Sequence, residues 1–224
     1  GNWDIDTGAL EVTSSAGPTA DERLKPDIIA PGEGIDTIGW DEVNLVNESL
    51  VWGGTSSAAP VTTGVVGWLA ESFVNQGMIL DDIRPARYKA ILVHTAKDVG
   101  PIGPDYQHGY GLIQADRALR IAEEWSEWGR EGTVDEITTG LAFTFDVDSA
   151  MSFYKATLVW DDKLRRAPPL VLNDVGLLLE NRGRQHNFGL LASAPPALAS
   201  TLDIRGSLRG KAFTQFDEWS GQIY

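Results

Sequence analysis

The octapeptide Gly53-Gly54-Thr55-Ser56-Ser57-Ala58-Ala59-Pro60 decides how this chain is read. Two glycines lead towards a serine, small residues follow it, and an apolar run begins directly afterwards. Val61, Val65, Trp68 and Leu69 then recur at helical spacing, so a buried helix is expected over about Ser57 to Phe73. A hydroxyl at that position stands at a helix N-terminus. Free backbone N–H groups and the positive end of the helix dipole point there, an environment suited to stabilising a developing oxyanion. Pro60 is expected in the first turn, where its missing N–H costs no intrahelical bond. Gly64 and Gly67 are expected to let another backbone approach closely. Standing alone, the octapeptide is most simply a serine helix cap with no catalysis attached.

Outward from it, residues 1–34 are rich in Gly, Pro, Asp and Ser with short apolar pieces such as Ile28-Ile29-Ala30, and read as brief strands separated by turns. Asp81-Asp82 followed by Pro85 signals a second helix, with Tyr88, Ile91, Leu92 and Thr95 on one face until Gly100-Pro101 stops it. A third helix is expected over about Gln114 to Trp125, its polar face formed by Asp116, Arg117, Arg120, Glu123 and Glu124. Gly129-Arg130-Glu131-Gly132 marks a boundary. Beyond it the pattern alternates, as in Leu141 to Val147 and Tyr154 to Trp160, so helices give way to strands. No internal repeat, heptad run or low-complexity tract is present.

Composition bounds the function. The 224 residues are 42% hydrophobic and 22% charged, ordinary for a globular protein, with a formal net charge of −14. Such a balance makes nucleic acid and anionic lipid poor partners. No apolar stretch approaches the roughly 20 residues of a membrane-spanning helix. Cysteine is absent, which removes disulfides and thiolate metal sites but leaves the compartment open. With no initiator methionine and no targeting segment at Gly1-Asn2-Trp3-Asp4, the chain is expected to be a fragment.

Two further stretches give the octapeptide company. One is Ser14-Ser15-Ala16-Gly17-Pro18-Thr19 continuing through Lys25-Pro26-Asp27-Ile28-Ile29-Ala30-Pro31-Gly32; the other is Gly109-Tyr110-Gly111-Leu112-Ile113-Gln114-Ala115. Together, in this order and spacing, the three blocks resemble the subtilase family, whose serine signature reads Gly-Thr-Ser-x-Ala-x-Pro. The resemblance covers about residues 1–125 and places Ser56 at the nucleophile, with Gly54 and Thr55 beside the oxyanion. It implies the C-terminal half of a subtilisin-like three-layer α/β fold over residues 1–128, and hydrolysis of protein or peptide substrates through an acyl-enzyme. It also implies a secreted, extracellular setting and no cofactor for the chemistry.

The family's chain order is Asp, His, Ser, and here the pattern departs. His94, His108 and His186 all follow Ser56, and none stands in a His-Gly-Thr setting. His94 and His108 read as structural, and His186 as an exposed loop residue. Asp6-Thr7-Gly8 mimics the family's aspartate motif, but the segment before it is short and polar and no histidine intervenes before Ser56. It suits a surface hairpin instead. The family's oxyanion asparagine is expected before residue 1. The resemblance therefore implies that this chain alone is inactive and needs the N-terminal half of the catalytic domain as its partner.

In residues 129–224, Lys155 to Asp162 and Pro169 to Val175 resemble paired strands of the β-barrel or jelly-roll domain that follows some bacterial subtilases, so an all-β sandwich or jelly-roll-like accessory domain is expected. Asp161, Asp162, Asn173 and Asp174 offer hard oxygen ligands for structural calcium, or are plain turn residues at strand ends. The rival reading from another class is a non-catalytic subtilase-like scaffold or processed fragment whose β domain binds protein or glycan. An α/β-hydrolase esterase is disfavoured, because its Gly-x-Ser-x-Gly elbow needs glycine where Ala58 stands.

Overall fold

The computed structural model describes residues 1–20, 24–41, 46–131, 157–159, 177–181, 184–188 and 201–203. The chain starts in β1 (Asn2–Asp4), turns through residues 5–8 and returns as β2 (Ala9–Leu10), with Trp3 opposite Leu10 and Asp4 opposite Ala9. Asp4 makes this turn: its Oδ1 accepts the backbone N–H of Asp6 at 2.8 Å and of Thr7 at 3.2 Å, the local side-chain bonding that makes aspartate a turn former. The surface hairpin expected around Asp6 is therefore present. On its other edge β1 pairs in parallel with β3 (Ala30–Pro31), Asn2 lying opposite Ala30.

Single bridges extend this sheet. Ile29 lies beside Leu112 in parallel, and Leu112 beside Lys97 in antiparallel sense. Ile29 donates its N–H to the Gly111 carbonyl at 3.0 Å and accepts from the Ile113 N–H at 2.9 Å. Two of the three motif blocks, far apart in the chain, thus share one backbone ladder.

After β3 the chain runs out as an antiparallel ribbon of β4 (Ile35–Asp41) and β5 (Val46–Trp52), with Ile35 opposite Trp52. The ribbon delivers it directly into α1 (Thr55–Asn75). This helix begins two residues earlier and ends two later than its periodicity suggested. Its inner face buries Ser57, Ala58, Val65, Leu69 and Phe73. The outer face is not buried: Trp68 is 58% exposed, and a Cβ at Gly64 or Gly67 would meet nothing within 4 Å. No described backbone approaches those two glycines, contrary to expectation. Pro60 is the sixth helical residue rather than a first-turn one, so it withholds an N–H from the Ser56 carbonyl.

Asp81 and Asp82 form a separate 3-10 turn (Leu80–Asp82), and α2 (Pro85–Thr95) starts with Pro85 in its first turn. It ends five residues before Gly100. The third helical segment is divided into α3 (Ala115–Glu123) and a single turn, α4 (Trp125–Trp128). The core gathers Ala30 from the sheet, Ala58, Val65, Leu69 and Phe73 from α1, Ile91 and Leu92 from α2, and Ala118 and Ala122 from α3. Burying a side chain such as Leu69, Phe73 or Ile91 is worth about 1.5–3 kcal/mol. Ala118 and Ala122, both wholly buried, let α3 lie close on this cluster.

Two charged devices pin the layers. Asp27 lies between Lys25 and Lys89, with Lys89 Nζ at 3.0 Å. Burial would raise the Asp27 carboxyl, but attraction and hydrogen bonding from Lys89 and Lys25 outweigh it and hold the group below its ordinary value. A carboxylate depressed in the folded state contributes stability that is complete above its unfolded pKa of about 3.9 and is lost as pH falls through the lower folded value. Asp27→Asn is expected to lower the melting temperature at neutral pH and to converge with the wild type as pH falls through the depressed folded-state value of Asp27. Parallel melting curves for the two proteins across that range would contradict this.

The second device joins the helices to the segment that leaves them. Arg87 is 9% exposed, with its guanidinium carbon 4.9 Å from the Phe73 ring centre and 5.3 Å from that of Trp125. Its Nε and Nη2 meet the two oxygens of Glu131 at 2.5 Å and 2.7 Å.

Beyond residue 131 the described strands are β6 (Thr157–Val159), β7 (Leu177–Asn181), β8 (Arg184–Phe188) and β9 (Thr201–Asp203), forming antiparallel β6–β9 and β7–β8 ribbons. The change from helices to strands is as expected, but the described residues form two short ribbons and not a sandwich. His186, expected in a loop, lies in β8 opposite Leu179. The alternating stretch 141–147 and the region 169–175 lie outside the described residues. β6 packs on α2, where His94 Nδ1 and Thr157 Oγ1 are 3.1 Å apart. No helix among the described residues is long and apolar enough to cross a membrane.

Candidate active site

The turn from β5 into α1 is built from backbone. Gly54 is the residue before the helix, at φ 108° and ψ 175°, a region that side chains other than hydrogen strongly disfavour. Its N–H reaches the Gly32 carbonyl at 2.7 Å, and its own carbonyl accepts the N–H groups of Ser57 and Ala58 at 2.9 Å and 3.3 Å. Those bonds use up the third and fourth amides of the helix. The amides of Thr55 and Ser56, in the first two positions, have no hydrogen-bond partner among the described residues.

Ser56 is exposed while Ser57 and Ala58 behind it are buried. No side chain caps this helix, so the plain capping reading of the serine does not hold: position 54 supplies the cap and Ser56 sits two residues inside. An accessible hydroxyl beside free amides at the positive end of a 21-residue helix can attack a carbonyl carbon and hold the resulting oxyanion.

His108 and His94 are engaged elsewhere. His108 is 8% exposed, its Nδ1 3.1 Å from both carboxylate oxygens of Asp105, and its ring meets Trp3 edge-on at 6.4 Å. His94 faces Thr157 as described. Asp6 is exposed in the β1–β2 turn. Gly54, Thr55 and Ser56 are thus together, with His94, His108 and Asp6 each accounted for by local structure. Asp161, Asp162, Asn173 and Asp174 lie outside the described residues. Among the described residues no cluster of three or more His, Asp or Glu could hold a metal ion.

Two polar residues that sequence reasoning passed over lie behind the turn. Asn2 is wholly buried and its Nδ2 donates to Glu33 Oε2 at 3.2 Å. The signal was an acid isolated between Gly32 and Gly34, with a lone asparagine on a short inner strand.

Residues 4–111 match the model of the subtilase family, a stretch that contains β2, β3, the β4–β5 ribbon, α1 and α2. The chain is 36% identical over 96 residues to fervidolysin of Fervidobacterium pennivorans, covering 40% of this chain and 12% of that protein. It is 29% identical over 116 residues to tripeptidyl-peptidase 2 of Oryza sativa subsp. japonica, covering 51% of this chain and 8% of that protein. The match therefore spans a small part of either relative, and the similarity is to a subtilase-type peptidase region.

Proposed function

We propose that residues 1–128 carry the nucleophile of a subtilisin-type serine endopeptidase and form the C-terminal half of its three-layer catalytic domain. Ser56 Oγ attacks the carbonyl carbon of a peptide bond and gives its proton to a histidine base, which passes it to the leaving amine. Water then hydrolyses the acyl-enzyme by the reverse proton route. The amides of Ser56 and Thr55 are the donors available to the oxyanion.

The base, its orienting carboxylate and a side-chain oxyanion donor come from outside these 224 residues, so the chain alone turns over negligibly and works with the rest of the catalytic domain. What supports this is the engagement of His94 and His108 by Thr157 and Asp105 and the place of Asp6 in a surface turn. Residues 129–224 are the accessory β domain of this enzyme, in which Asp161, Asp162, Asn173 and Asp174 are either oxygen ligands offered to a structural calcium or plain turn residues at strand ends. Substrates are proteins or peptides, the setting is extracellular, and no cofactor takes part in the chemistry.

The observation that carries the reading is an exposed, non-capping Ser56 beside two unpaired amides. Its test is reaction of the full-length polypeptide with a fluorophosphonate, followed by peptide mapping. Adduct on Ser56 is expected, and the 224-residue chain by itself should remain unmodified. A folded full-length protein that fails to react would remove the enzyme reading.

A further inference from the structure

The nucleophile turn is held from behind by a side chain that the serine signature does not include. Position 32 has no room for a Cβ: built there, it would lie 2.4 Å from Asn2 Oδ1, 2.8 Å from the Ala58 Cβ and 2.8 Å from the Gly54 carbonyl oxygen. The first turn of α1, the start of β1 and the loop after β3 therefore meet at Gly32. Directly after it, Glu33 accepts from the buried Asn2 Nδ2 and lays its carboxylate against the Gly53 backbone, so that a Cβ on Gly53 would fall within 2.4–2.6 Å of Oε1, Oε2 and Cδ. Asn2 Oδ1 is buried without a partner among the described residues, so the asparagine side chain is held by its single bond to Glu33 and by packing.

This arrangement leaves few ways for the turn to move. On one side Gly54 is tied by its amide to Gly32. On the other, Gly53 rests on a carboxylate whose direction is fixed by a residue of the innermost strand. Since Gly53 and Gly54 are followed at once by Thr55 and Ser56, any rotation of this turn re-aims both the hydroxyl and the two free amides.

Resting on the reading of Ser56 as nucleophile, we propose that Glu33 is a positioning residue for it: the Asn2–Glu33 bond braces the Gly53-Gly54 turn and so sets the direction of the Ser56 hydroxyl and amide. The brace works by hydrogen bonding and shape, not by charge, because Glu33 reaches the turn through packing on Gly53 and is fixed by a neutral amide. Glutamine can accept the same bond from Asn2, while alanine cannot.

The test uses Glu33→Ala and Glu33→Gln in the full-length polypeptide, with two readouts. Amide hydrogen exchange of a peptide covering residues 53–58 reports the turn itself. Fluorophosphonate labelling and steady-state hydrolysis report the nucleophile. Glu33→Ala is expected to speed exchange in that peptide and to lower kcat and the labelling rate roughly tenfold with KM little changed, as small misplacements of a reacting group do. Glu33→Gln should restore both readouts towards wild type. If Glu33→Ala melts too low to assay, Gly53→Ala, which displaces the carboxylate by its methyl group, is read in the same way against Glu33→Gln.

Unchanged exchange and labelling in Glu33→Ala would overturn the inference. So would a Glu33→Gln as impaired as Glu33→Ala, since charge would then be the active property. Absence of labelling in the wild type, by contrast, strikes the reading of Ser56 on which this rests.

Discussion

Ser56→Ala is expected to reduce peptide hydrolysis by the full-length polypeptide by about 10⁶-fold, the order seen when the nucleophile of a serine triad is removed. The side chain is exposed and caps nothing, so its loss forfeits neither packing nor a helix-terminal bond, and the melting temperature should stay where it is. That separation of activity from stability makes the variant informative. A structural serine would show the opposite pattern, a lowered melting point with catalysis intact. Steady-state kinetics and thermal melting on the same sample decide between them, and retention of more than about a tenth of the turnover would exclude Ser56 as nucleophile.

The second large effect concerns stability. Arg87→Ala is expected to cost about 3 kcal/mol, read as a lower urea midpoint at unchanged slope. The substitution removes a cation held between the rings of Phe73 and Trp125 and strips Glu131 of its partner. It also opens a void beside two aromatic rings that meet edge-on at 6.0 Å. Arg87→Met should recover most of this loss, since its thioether fills the slot without a charge to satisfy. Glu131→Ala should cost less, about 1 kcal/mol, because the Glu131 side chain is 39% exposed and water can enter where the carboxylate was. If all three variants unfold with the wild type, the clasp contributes nothing.

Much of the peptidase-like half could be read from its residues. Apolar spacing located α1 and α2 because Val65, Leu69, Ile91 and Leu92 do face one cluster. The surface hairpin at Asp6-Thr7-Gly8 is legible from its distance to Ser14-Ser15, whereas the part of Asp4, whose Oδ1 accepts from Asp6 and Thr7, emerges only in the structure. What failed depended on distance in space. Trp68 stands in register with the apolar row of α1, yet a row of spacing does not say how wide a helix face its neighbours cover. Spacing starts the helix at Ser57 and so puts Pro60 in the first turn, whereas Gly54, at positive φ, lets the helix begin at Thr55.

Arg87 carries a signal of its own: it lies four residues from Ile83 and from Ile91, both buried, and a charge in an apolar row calls for an acidic partner. That partner, Glu131, is 44 residues away, beyond the reach of periodicity. At the site, Ser56, Gly54 and Thr55 were legible because the chemistry is local to one turn. Asn2 and Glu33 were not, since 31 residues separate them and only the parallel pairing of β1 with β3 brings them together.

The ladder through Ile29 also governs which length changes this protein can absorb. Ile29 is wholly buried and bonded on both sides of its backbone, to Gly111 and Ile113. One residue inserted between Pro26 and Ile29 would invert the side chain towards solvent and break both bonds together. The 5–8 turn carries no such double tether and projects exposed side chains, so lineages should vary in length there and keep the spacing from Pro26 to Gly32 invariant.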